Sequence, residues 1–148
     1  EAGRAWVDSA ALTQNQKTAM GTGIGSHIRE GEHSAWLTWF IQEIKSDLYQ
    51  VPVENIMIAW SESDYQAAGK WFHSQPAGPA KDFAVSVYAD SISEFEPEAA
   101  VQWASTLPEG DLREKTLHRI SHNWPRKSPE QKAAAEAFEK QLGIKHDK

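Results

Sequence analysis

The chain has 148 residues, 40% of them hydrophobic and 24% charged, with a formal net charge of −6. The length supports one ordinary domain with its own core, and no apolar run approaches the roughly 18–20 residues that a membrane helix needs. Seven tryptophans argue against a disordered chain, the absence of cysteine excludes disulfides, thiolate metal sites and cysteine nucleophiles, and the negative balance argues against nucleic acid as the partner.

A 32-residue period organises the elements. Written above 99–130 without a gap, 67–98 puts Ala67-Ala68 on Ala99-Ala100, Trp71 on Trp103, Ser74 on Thr106, Pro76 on Pro108 and Gly78 on Gly110. Tyr88 falls on Ile120, Ile92 on Trp124, and Pro97-Glu98 on Pro129-Glu130. The same frame carried backwards aligns Trp39 with Trp71, and Trp60 with Ile92.

The first copy spans about 1–32. Its start, Glu1-Ala2-Gly3-Arg4, lacks initiator Met and the basic and apolar regions of a signal peptide, so a continuation upstream is expected. Trp6 matches Trp39 only with one extra residue in the loop. Ile24 and Ile28 fall on Tyr88 and Ile92, which places Gly21-Thr22-Gly23-Ile24-Gly25 within a second helix. A phosphate loop needs a preceding strand, and none is expected there. Close helix packing or a loosened helix is the expected role, at about 1 kcal/mol per glycine against alanine.

The second copy, about 33–64, departs from the pattern. Lys45-Ser46-Asp47 stands where other copies have Pro-x-Gly, and Pro52 falls in mid-helix. A first helix running to about Leu48, a loop and a short helix from Pro52 to Trp60 are expected. Trp36 aligns with Ala68 and Ala100, and Phe40 with Phe72 and Ala104. The period demands no aromatic at Trp36, so Trp36 and Phe40 are expected as exposed contact residues.

The third copy, about 65–96, opens with the S-x-x-Q start Ser63-Asp64-Tyr65-Gln66. In the fourth, about 97–128, Pro97 suits a first helical position. Ala99, Ala100, Trp103, Ala104 and Leu107 then follow at helical spacing. Leu107-Pro108-Glu109-Gly110 breaks the helix, and Asp111 with Glu114 forms a D-x-x-E start. Leu112, Thr116, Leu117, Ile120 and Trp124 make the next apolar stripe, ended by Pro125. Burying each recurring Trp contributes about 4–6 kcal/mol as an upper estimate.

Two polar features lie on that second helix. Arg113, Lys115, Arg119, Arg126 and Lys127 face only Glu114 among acids in the stretch; they form either a grip for an acidic partner or a solvated face balanced by Asp82, Asp90, Glu94 and Glu96. Glu114, His118 and His122 lean to one side as zinc ligands would, but no third or fourth ligand is evident, and solvated histidines are the expected outcome. His27, His33, His73 and His146 are scattered.

Ser128-Pro129-Glu130-Gln131 opens a last helix that keeps Ala133, Ala134, Ala137, Phe138 and Leu142 on one face. Lys132, Glu136, Glu139 and Lys140 lie on the other, as in a terminal capping helix.

The plan resembles tetratricopeptide and HEAT-like repeats. The spacing W-x4-P-x-G, at Trp71 to Gly78 and Trp103 to Gly110, and Pro97-Glu98-Ala99-Ala100 more closely resemble repeat proteins of bacteria. The resemblance covers most of the chain; the 32-residue period and the glycine placement differ from the tetratricopeptide pattern. It implies a protein-binding scaffold and carries over no functional residue.

The expectation is an all-α helical-repeat solenoid of about four helix pairs, with a cap over 129–148, forming a single array over 1–148. It would act as a non-enzymatic interaction module for a protein or peptide, contacting it through Trp36, Phe40, Arg113, Arg119, Arg126 and Lys127. No catalytic residue, cofactor or metal is called for. A ligand- or glycan-binding domain using exposed aromatics is the alternative, followed by a metal-dependent protein centred on Glu114, His118 and His122. Compartment, whether bacterial cytoplasm or cell envelope, and oligomeric state carry no signal.

Overall fold

The structure is a computed structural model that describes residues 5–7 and 10–144, apart from the side chain of Ser46. The upstream expectation at Glu1–Arg4, and His146, lie outside the described residues. Among these, all regular structure is helical. Beyond the helical residues 5–7, the α-helices are α1 Gln14–Gly23, α2 His33–Glu43, α3 Gln50–Trp71, α4 Pro79–Ile92, α5 Pro97–Ser105, α6 Asp111–Asn123 and α7 Pro129–Gln141. Short 3₁₀ turns cover Gly25–His27, Ser46–Tyr49 and Phe72–Ser74. The chain forms two compact units, 1–84 and 85–148, divided within α4.

In the N-terminal unit, α1 and α2 both pack on α3. A capping box starts α1: Thr13 N–H donates to Gln16 Oε1 at 2.9 Å, and Gln16 N–H to Thr13 Oγ1 at 3.3 Å. The glycine run is where α1 touches α3. A Cβ on Gly21 would overlap the Pro52 ring, and one on Gly25 would lie 2.6 Å from the Asn55 carbonyl oxygen. Asn55 Nδ2 in turn donates to the carbonyls of Gly21 and Thr22 at 3.1 Å, satisfying orphan acceptors at the end of α1. Close packing is therefore the role of Gly21 and Gly25.

The expected exception in the second copy is corrected. Helix α2 stops at Glu43 rather than near Leu48. Gln14 holds that end, donating to the Glu43 carbonyl at 3.0 Å and accepting from Lys45 N–H at 2.8 Å. The next helix starts early and is long, so Pro52 lies in its first turn, where no intrahelical partner needs its missing N–H. Asp64 breaks α3 (φ −156°, ψ 78°) and restarts it, its carboxylate accepting from Ala67 N–H at 3.0 Å. Asp64, one residue past the expected Ser63, is thus the cap. Leu37, Phe40, Val53, Ile56, Met57 and Phe72 form the core.

In the C-terminal unit α5 and α7 each pack on α6. Tyr88, Ile92, Ala100, Ala104, Leu107, Ile120, Trp124 and Phe138 are buried. Tyr88 meets Trp103 edge-on at 5.5 Å, and Trp124 lies 5.1 Å from Phe138. Ser128 and Gln131 form the expected capping box of α7. The expected cap at Asp111 is replaced by Gly110, whose φ of 144° and ψ of −171° belong to glycine. Helix α7 is rotated from the expected face: Ala135, Phe138 and Glu139 are buried, while Ala133 and Ala137 are exposed.

Helix starts keep the sequence period. His33, Tyr65 (after the break at Asp64), Pro97 and Pro129 each follow the last by 32 residues. The W-x4-P-x-G turn also repeats several of its hydrogen bonds in the two units. Ser74 and Thr106 hydroxyls donate to the Trp71 and Trp103 carbonyls, at 2.8 and 2.6 Å. Lys81 Nζ and Arg113 Nη1 each reach back 3.5 Å to the carbonyl six residues earlier, Gln75 and Leu107. Gly78 and Gly110 both have strongly positive φ.

Candidate functional site

A cleft of about 560 Å³ opens between α2 and the end of α3. Ser34, Ala35, Thr38, Gln42 and Glu43 line it from α2; Trp39 lines the same side, with Trp71, Ser74 and Gln75 opposite. Helical spacing explains most of the α2 side, because positions 34, 35, 38 and 42 share one face. Small side chains there leave the floor low. Trp39 and Trp71 are mostly buried, so the cleft sees them only at their edges.

The cleft continues into an apolar pocket of about 180 Å³ formed by the W-x4-P-x-G turn. Thr38, Gln42, Trp71 and Gln75 belong to both. Ile41, Pro76, Ala77, Pro79 and Ala80 add apolar walls, and Lys81 lies at its edge.

Electrostatically the cleft is nearly neutral. Glu43 is paired with Lys17 at 2.7 Å, and that ammonium also sits 5.8 Å from the Trp39 ring centroid. Lys81 reaches the Gln75 carbonyl and, among the described residues, pairs with no carboxylate. Thr38, Ser74 and Gln75 donate to nearby backbone carbonyls, whereas the Gln42 amide is exposed.

The expected contact residues fall elsewhere. Phe40 is fully buried and Trp36 is 9% exposed, correcting the expectation that both are exposed. Trp36 packs on Trp39 and Phe40 at about 6 Å. Its counterparts Ala68 and Ala100 are themselves fully buried: at all three the position faces the core, and a larger ring fills more of it.

The basic residues do not act as one free face. Arg113 folds back on its own turn. Arg119 lies 3.9 Å from Asp90, one of the balancing acids named above. Arg126 closes on Glu139 and donates to the Trp124 and Ser121 carbonyls at 3.0 and 3.2 Å. Its partner Glu139 is only 8% exposed, correcting its placement on the charged face of α7. Lys127 remains exposed. Glu114, His118 and His122 are exposed on α6, and among the described residues no group of three or more His, Asp or Glu is disposed to hold a metal ion.

His33, which carried no signal in the sequence, is buried and stacked on Trp60 at 5.7 Å with the rings 8° from parallel. Burial lowers its pKa below the ordinary 6.5. Among the described residues its Nδ1 has no hydrogen-bond partner. The ring packs outside the cleft lining.

Sequence reasoning missed the cleft residues. Thr38 and Gln42 lie one turn apart on α2 and Gln75 stands beside the Pro-x-Gly turn, but that spacing by itself does not mark a cleft. No protein-family model, curated protein or solved structure matches this chain. Among the described residues no helix is long and apolar enough to cross a membrane.

Proposed function

We propose that the chain is a non-enzymatic interaction module built as a helical-repeat array, and that its cleft between α2 and the end of α3 takes an extended peptide. The observation that carries this reading is the cleft itself, about 560 Å³ in volume and lined by the hydroxyls of Ser34, Thr38 and Ser74 and the amides of Gln42 and Gln75. Such side chains match the alternating donors and acceptors of an extended backbone. The recurrence of helix starts every 32 residues supports the repeat plan, in which helices of one set line a binding surface. The resemblance to tetratricopeptide and HEAT-like repeats supports the same class.

The reading replaces the aromatic and basic contacts expected from sequence. Trp36 and Phe40 serve the core, and Arg113, Arg119 and Arg126 are engaged within their own unit. The glycan alternative rested on an exposed Trp36 and loses that support.

Thr38→Trp fills the cleft from its floor. Panning a random peptide library against the whole chain should yield binders that this variant no longer holds, with its helicity by circular dichroism unchanged. Binders that hold Thr38→Trp as tightly as the original would place recognition elsewhere and overturn the reading.

A further inference from the structure

The pocket at the end of the cleft narrows the kind of peptide, resting on the peptide reading above. Its volume of about 180 Å³ is below the roughly 300–1,000 Å³ of small-molecule sites, so it suits one side chain of a larger ligand. Its walls, Ile41, Trp71, Pro76 and Pro79 among them, are mostly apolar, so a polar side chain would lose more water there than it regains in partners. An aliphatic side chain fits.

Lys81 supplies the second element. Its ammonium has three donors and is engaged at 3.5 Å with one carbonyl. One cation beside an apolar pocket complements one negative charge. A phosphate group, with nearly two charges, is best met by several cations, and the pocket lining holds one. A carboxylate fits.

The cleft and the pocket share four lining residues, and the cleft stands open to solvent. That suits a segment passing through, where a chain terminus would call for an enclosed end. In an extended segment, side chains two residues apart point the same way and sit about 6.5–7 Å apart.

We propose that the site binds an internal stretch of polypeptide carrying an aliphatic residue and, two positions away, an aspartate or glutamate. The aliphatic side chain enters the pocket formed by the W-x4-P-x-G turn, and the carboxylate meets Lys81. The turn thereby serves both as the break between helices and as the specificity pocket.

The test pans two random-peptide libraries on the whole chain, one flanked at both ends and one with a free C-terminus, retaining binders that Thr38→Trp releases. Ala77→Trp, at an exposed turn position lining the pocket, serves as the blocking variant if Thr38→Trp does not fold. The flanked library should be enriched in aliphatic-x-acidic sequences. A synthetic peptide of that sequence should bind Lys81→Glu about tenfold more weakly, the worth of a partly screened charge pair, and Lys81→Arg nearly as well as the original. Binders blocked by Thr38→Trp but without acidic preference, or indifferent to Lys81→Glu, overturn this assignment and leave the peptide cleft standing. Recovery from the free C-terminal library alone overturns the internal-segment assignment. Absence of any blockable binder from both libraries overturns the cleft reading together with it.

Discussion

Gly21 and Gly23, two residues apart in α1, separate two glycine effects. A methyl on Gly21 meets the Pro52 ring, whereas one on Gly23 meets nothing within 4 Å. Gly21→Ala should therefore destabilise the chain by about 1–3 kcal/mol through overpacking. Gly23→Ala should be neutral or stabilising by up to about 1 kcal/mol, since only the helical cost of glycine is removed. Urea unfolding of both variants, read by circular dichroism, checks the contrast; equal effects would mean that Pro52 does not press on α1. His33 gives a pH effect of definite sign. Its folded-state pKa is depressed by burial, so its contribution to stability is fully present above about pH 6.5, the ordinary value, and is lost as pH falls through the folded value. Unfolding at pH 7.5 and pH 5.5 should show the original chain losing more stability than His33→Phe, which keeps the stack on Trp60 without a proton to gain. A parallel loss in both would assign the effect to other groups.

At the scale of elements, helix ends are decided by small polar contacts. Helix α2 stops where Gln14 takes its last carbonyl and the N–H beyond it, and α3 restarts where Asp64 offers its carboxylate. Helix α7 is held to the end of α6 by Arg126, which bridges two carbonyls there and the Glu139 carboxylate. Arg126→Ala leaves that mostly buried carboxylate without its cation and should cost about 2–3 kcal/mol. Arg119→Ala removes an exposed and longer pair with Asp90 and should cost at most about 0.5 kcal/mol. Thermal unfolding, together with hydrogen exchange of the α7 amides, reads the difference. Similar small losses in both would show that Arg126 is a surface charge and not a clasp.

For the molecule as a whole, a peptide that binds only the folded cleft must raise its stability by mass action, about 2.7 kcal/mol at a hundredfold excess over Kd. The melting temperature of the original chain should climb with concentration of a selected peptide, and that of Thr38→Trp should stay level; a rise in both would mean binding outside the cleft. Much of the architecture was legible in advance because it is local. Prolines, capping residues and helical apolar spacing act within a few positions, so helix starts at Pro97 and Pro129, the cap at Ser128 and the turns at Gly78 and Gly110 could be read from residues 71–131 alone. What could not be read depends on neighbours distant in the chain. Whether Trp36 faces water or core is fixed by the surrounding helices, and its alanine counterparts, read as tolerance, mark burial instead. Pro52 is harmless because Gln14, far upstream, ends α2 early and lets α3 begin sooner. Asp90, which pairs with Arg119, is among the acids the sequence offers to balance the basic residues, whereas the pairing of Arg126 with Glu139, 13 positions away, depends on how α7 packs. The cleft itself has no sequence signature: it is the space left where small side chains of α2 face the end of α3, and packing alone creates it.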